Sequence, residues 1–194
     1  MPTPDKLATD ATVAITLADG FEEVEALAVA DVLYRAGVRA DLISVTDARH
    51  VTSSHGIRVV ADAVLGEADL SAYTLLFLPG GMPGTLGLKG TPAIREEVLR
   101  RADAGQLIAA ICAAPSFLAE LGVLDGRRAT ANPAFIASIA AGGAIVKEEP
   151  VVVDGAVMTS RGAGTSLELG LEIVRVLVGD KAAGEVARGI VRPL

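Results

Sequence analysis

Three short apolar runs constrain this chain most: residues 12–18 (TVAITLA), 74–78 (TLLFL) and 107–111 (LIAAI). Each is too short for a helix and lacks the alternation of a half-exposed strand, so each reads as a strand buried on both faces. Helix-patterned segments separate them. Further strand-like pieces lie at 38–45, 151–153 and 157–160, and helical patterns at 91–102, 166–178 and 180–190. Strands alternating with helices across short loops predict a parallel sheet covered on both faces. Residues 50–65 hold two short strand-like pieces around Ser53-Ser54-His55-Gly56, which predicts a β-hairpin excursion. Residues 83–87 read as a glycine-containing loop, and Asn132-Pro133 opens a short helical stretch. No linker divides the chain, so residues 12–194 are expected to form one α/β domain behind a disordered tail, residues 1–11.

The first helix carries a misplaced charge. Asp19 and Glu22 have capping-box spacing, and Gly37 supplies a stop. At 100° per residue, Phe21, Glu25, Val29 and Val32 share one apolar face. A carboxylate there is costly unless it is hydrogen-bonded or kept protonated. Glu22 is explained by capping and Glu23 by solvation; Glu25 is not explained by either. The helix is apolar on most sides, which points to burial against both the sheet and a partner subunit.

The only cysteine, Cys112, follows the 107–111 strand. After it, Ala113-Ala114-Pro115 turns into a helical pattern with Phe117, Leu118 and Leu121. Strand, sharp turn, reactive side chain, helix is the layout of a nucleophile elbow, and a helix N-terminus favours thiolate. The same cysteine in an alanine-rich run also fits an inert core residue. Pro79-Gly80-Gly81 ends the 74–78 strand in a turn that lets backbone approach a ligand. In parallel sheets, sites gather at such C-terminal strand ends.

Composition excludes several function classes. The net charge is −7, and aromatics are 3% with no tryptophan, so neither a basic face nor stacking residues for nucleic acid are visible. Two histidines and one cysteine without clustered spacing give no metal site. No apolar run is long enough to span a membrane. The N-terminus lacks the apolar region of a secretory signal, and a single cysteine excludes an internal disulfide. The expectation is a soluble cytoplasmic protein.

ADGFEEVE near the start, FLPGG in mid-chain, AAICAAP at the elbow and TSRGAGTS before the penultimate helix together resemble the ThiJ/PfpI superfamily. The branch they are most similar to is that of the parkinsonism-associated protein deglycase and its bacterial relatives. The resemblance runs over residues 12–191. It implies a flavodoxin-like α/β sandwich, a homodimer and no cofactor. It matches the reactive cysteine to Cys112 and the glutamate beside it to Glu25. It places an oxyanion or substrate pocket at Gly80, Gly81 and Ala113, and further pocket residues at His55 and Arg35. His55 reads equally well as a surface turn residue. Two departures stand out. Asn132 lies where some relatives supply a histidine, and Ala113 lies where peptidase-like members carry one.

The implied activity is glyoxalase or deglycase chemistry on small reactive carbonyls such as methylglyoxal. The alternatives are a redox sensor or chaperone acting through oxidation of Cys112 and, more weakly, a cysteine peptidase or amidase.

Overall fold

The structure, a computed structural model, describes residues 1–192; residues 193–194 of the expected domain lie outside the described residues. In chain order the strands and helices are β1 (Thr12–Leu17), α1 (Glu23–Arg35), β2 (Arg39–Ser44), β3 (His50–Thr52), β4 (Arg58–Val60) and β5 (Ala63–Val64). There follow β6 (Leu75–Leu78), α2 (Gly84–Gly90), α3 (Pro92–Ala104), β7 (Leu107–Ile111), α4 (Pro115–Glu120) and β8 (Arg128–Ala129). The chain then runs through α5 (Ile136–Ala141), β9 (Ile145–Val146), β10 (Val151–Asp154), β11 (Val157–Ser160), α6 (Ser166–Leu177) and α7 (Asp180–Gly189).

The central sheet has the order β10-β11-β7-β6-β1-β2-β5, parallel throughout except for the β10–β11 hairpin. Its parallel strands β2, β1, β6, β7 and β11 follow the 2-1-3-4-5 order of flavodoxin-like folds, as expected. Side chains alternate between two cores. Val13, Ile15, Leu17, Phe77, Ala109 and Ile111 face α1, α6 and α7. Ala14, Leu76, Leu78, Ile108 and Ala110 face the layer holding α3, α4 and α5. Helices α1 and α6 approach closely at Gly170, where an added Cβ would lie 3.0 Å from Val32 Cβ.

Helix α1 ends as its sequence predicts. Gly37 adopts φ +73°, its N–H donates to Tyr34 O (3.0 Å), and Val38 N–H donates to Leu33 O (3.0 Å). This is a Schellman stop. Its start differs from expectation. Glu22 alone is the cap, accepting from Glu25 N–H (2.7 Å), while Asp19 Oδ1 accepts from Thr52 N–H (2.8 Å) and ties β1 to the hairpin.

Three other expectations are corrected. The stretch expected as a loop at 83–87 is helical from Gly84 onward, as the start of α2, with Pro83 as its cap; Gly84 is there because a Cβ would lie 2.5 Å from Phe21 N, not because the chain needs slack. The short strands β8 and β9, absent from the sequence reading, pair in parallel beside the main sheet. The tail expected to be disordered forms no helix or strand, yet it lies along the domain. Pro4 is buried, Ala8 N–H donates to Gly37 O (2.9 Å), and the Met1 amino group pairs with Asp62.

One buried charge organises the end of the sheet opposite the cysteine. Arg101, fully buried in the last turn of α3, uses all five guanidinium donors. Nε donates to Glu97 Oε1 (2.7 Å), Nη1 to Thr74 O (3.2 Å) and Leu107 O (3.1 Å), and Nη2 to Leu70 O (2.9 Å) and Tyr73 O (2.6 Å). It therefore fixes the entry of β6 and β7, whose far ends carry Gly80-Gly81 and Cys112.

Candidate active site

The switch point of the sheet lies between β1 and β6, where the chain leaves in opposite directions. Helix α1, following β1, brings Glu25 to this crevice. The turn after β6 brings Gly80 and Gly81, and the neighbouring β7 ends at Cys112. The three segments singled out in the sequence meet here.

Cys112 is a non-glycine residue in the left-handed region, with φ +64°. That conformation costs about 1–2 kcal/mol for an L-residue, so neighbours must impose it. Its N–H donates to Ser160 O (3.0 Å), its carbonyl accepts from Asn132 N–H (3.0 Å), and Ala114 N–H closes the turn onto Ile111 O (3.0 Å). The sharp turn lifts the side chain off the strand end, as a nucleophile elbow requires. The thiol is half-buried beside the Glu25 carboxyl, close enough that one Cβ on Gly80 would lie 2.6 Å from both Cys112 Cβ and Glu25 Oε2, and the N–H groups of Gly81 and Ala113 also act on its charge.

Glu25 is 1% exposed. Its Oε2 accepts from Gly80 N–H (2.9 Å). Gly80 thus holds the glutamate rather than an oxyanion. A side chain there is excluded, since a Cβ would lie 2.6 Å from both Glu25 Oε2 and Cys112 Cβ. Gly81 is constrained as tightly: at φ +90°, a Cβ would lie 2.5 Å from Glu22 N and Gly20 O.

Burial first, with the charge of Glu22 assisting, raises the Glu25 carboxyl from its ordinary 4.5 to about 7. Burial first, then the Glu25 charge, raises the Cys112 thiol from 9.0 to about 12, against the pull of the Gly81 and Ala113 N–H groups. The expectation that a helix N-terminus would by itself favour thiolate is therefore corrected. Helix α4 is only six residues long and starts at a proline that offers no N–H. The pair titrates as a unit. The carboxyl gives up its proton near pH 7, while the sulfur keeps its own well above that. Transfer of the thiol proton to Glu25 makes the sulfur a thiolate facing an acid and two backbone donors.

The raised carboxyl carries a stability prediction. From pH 4.5 to about 7 the unfolded chain has released this proton while the folded chain keeps it, so stability falls as pH rises through this window. Glu25→Gln removes that cost. The variant is expected to gain up to about 3 kcal/mol relative to the parent at pH 8 and nothing at pH 4. Urea unfolding at the two pH values checks it, and an equal change at both would overturn it.

Of the other sequence candidates, Asn132 reaches the crevice. Asn132 Oδ1 caps the turn at Pro133–Phe135 by accepting from Ala134 N–H (3.1 Å). A Cβ built on Gly162 would lie 3.5 Å from Asn132 Nδ2, 3.8 Å from Glu25 Oε1 and 3.9 Å from Cys112 Sγ. Asn132 and Gly162 therefore line the space over the sulfur, and Gly162 was not singled out from sequence. His55 sits exposed at the hairpin tip, its Nδ1 2.8 Å from Glu23 Oε1. Arg35 is at the opposite end of α1, ten residues or about 15 Å of helix from Glu25. It pairs with Asp31 (2.7 Å) and is not in this chain's site. Glu23, expected to be solvated, is buried beneath the hairpin.

The DJ-1/PfpI family pattern matches residues 11–176, a span that takes in both members of the reactive pair. The chain belongs to the DJ-1/PfpI family. Among DJ-1 relatives, Protein DJ-1 homolog A of Arabidopsis thaliana is 39% identical over 177 residues, covering 91% of this chain. The chain spans only 45% of that plant protein. The glutathione-independent glyoxalase DJR-1.2 of Caenorhabditis elegans is 32% identical over 173 residues, 89% of each protein. Among solved structures, oxidized Toxoplasma gondii DJ-1 superposes with a TM-score of 0.90 at 31% identity, covering 95% of this chain and 100% of that one. No helix among the described residues is long and apolar enough to cross a membrane.

Proposed function

We propose that this DJ-1/PfpI protein is a cofactor-independent thiol enzyme that converts 2-oxoaldehydes such as methylglyoxal and glyoxal to 2-hydroxy acids. The observation that carries the reading is the placement of Cys112, held at φ +64° at a strand end, beside the buried Glu25 carboxyl, whose pKa is raised to about 7. The glyoxalase named among the relatives supports it.

In this mechanism the Cys112 thiolate adds to the aldehyde carbon of methylglyoxal, and protonated Glu25 delivers its proton to the new alkoxide, giving a hemithioacetal. The N–H groups of Gly81 and Ala113, freed from the sulfur as it forms the C–S bond, face the developing oxyanion. Ionised Glu25 then removes the C1 proton to give an enediolate, the C1 hydroxyl proton passes to the C2 oxygen, and Glu25 returns its proton to C2 as the C1 carbonyl forms. The product is a lactoyl thioester. Water hydrolyses it to lactate and frees the thiol, so the net change is addition of one water. No histidine takes part, and Glu25 is the acid/base group throughout. The test is steady-state lactate formation by fully reduced protein. Turnover supports the reading, and no turnover of either methylglyoxal or glyoxal would sink it.

A second reading keeps the same pair but makes oxidation of Cys112 the event, with protonated Glu25 donating to the sulfinate. The oxidized form of the Toxoplasma relative favours keeping it in view. It predicts a function that appears only after peroxide treatment.

The assembly in this proposal is a homodimer. Val24 and Leu27 on α1 and Ile57 in the hairpin remain exposed, which supports a partner surface there. Sedimentation equilibrium is expected to give twice the chain mass, and a monomer at micromolar concentration would remove this part of the proposal.

A further inference from the structure

The first turn of α1 holds more negative charge than the thiol chemistry uses. Glu22 caps the helix through Oε2, and this bond leaves its other oxygen outside the cap. Glu23 is 8% exposed. Its Oε1 contacts His55 Nδ1 (2.8 Å), while its Oε2 is shielded from solvent without a hydrogen-bond partner. Such a group is expensive to leave unpaired. We propose that Glu22, Glu23 and His55 form a binding site for a divalent first-row transition ion, with zinc as its best fit.

One ligand atom from each of the three residues lies within 4.8 Å of the other two. Tetrahedral zinc with ligands at about 2.0–2.1 Å sets them about 3.3 Å apart, so small side-chain rotations close the site. Two carboxylates and one imidazole form a mixed oxygen and nitrogen set that suits zinc rather than calcium or magnesium. A fourth position stays open to water.

The ligands are held in place by backbone contacts that do not depend on an ion. Gly20 N–H donates to Thr52 O (2.7 Å) and Ser54 N–H to Phe21 O (2.8 Å), which clamps the hairpin tip against the start of α1. His55 thereby meets a glutamate 32 positions earlier in the chain. That is why linear spacing gave no metal signature. A helix N-terminus ordinarily repels cations. Here Glu22 and Glu23 place two carboxylates on that one turn and reverse the local sign. The site is independent of the glyoxalase reading.

The test is isothermal titration of zinc into the metal-free full-length chain, repeated in a Cys112→Ala background that removes the one competing thiol. One zinc per chain is expected in both. Adding His55→Ala or Glu23→Gln is expected to weaken binding about tenfold or more, whereas His50→Ala, at the only other histidine, leaves it unchanged. Unfolding midpoints confirm that each variant is folded. His55 is exposed, which keeps that arm informative even if Glu23→Gln is unstable. No saturable binding in the Cys112→Ala background, or equal affinity with and without His55, overturns the proposal.

Discussion

Lactate formation from methylglyoxal is expected to fall to the level of protein-free buffer in Cys112→Ser, and about 10²- to 10⁴-fold in Glu25→Gln. The serine hydroxyl has no base strong enough to ionise it in this crevice. The glutamine keeps an acceptor for Gly80 N–H but can neither give nor take a proton. The pH dependence separates a chemical role from a structural one. In the parent, kcat/KM is expected to rise as pH passes through about 7, where the pair loses its first proton, and then to level off. In Glu25→Gln the rise moves to higher pH, because the buried thiol must ionise without a carboxyl to take its proton. A glutamine variant with the parent's profile and rate would remove Glu25 from the chemistry. The same substitution is expected to stabilise the fold above pH 7, so activity and stability should change in opposite directions at one residue.

The second large effect is expected far from the thiol. Arg101→Met should cost about 3–5 kcal/mol, read as a lower urea midpoint. It takes a donor from four carbonyls, those of Leu70, Tyr73, Thr74 and Leu107, of which Leu70 O keeps the Tyr73 N–H (3.3 Å). Glu97 loses one of two arginine partners but keeps Arg100 (2.7 Å). Arg101→Lys is expected to rescue little, since an ammonium has three donors where the guanidinium has five. A methionine variant within about 1 kcal/mol of the parent would show that the carbonyls find other partners.

The fold was readable where burial is two-sided. Strand β7 needed no tertiary information because nothing but a buried strand suits five apolar residues between Gln106 and a turn. Glu25 was readable as a charge on an apolar face. Contacts made by distant segments were not. Glu23 looks solvated until the hairpin folds over it, and Arg101 looks like an ordinary basic residue in a last helical turn. Helix α2 was missed because its glycines suggest slack, when Gly84 is required by the closeness of Phe21. The four motifs located the crevice. They did not indicate that Gly80 N–H serves Glu25, or that Gly162 closes over the sulfur.

The sheet divides the interior into two cores; Cys112 packs against the same core as α1, but the helix that follows it is rooted in the other. Glu25 rides on α1, packed with α6 and α7. Cys112 leads into α4, whose Phe117 and Leu118 belong to the opposite core. A substitution that loosens either layer therefore changes the alignment of donor and sulfur before it unfolds anything. Because the chain has one thiol, its rate of alkylation becomes a single-site report on how firmly both halves of the molecule grip the sheet.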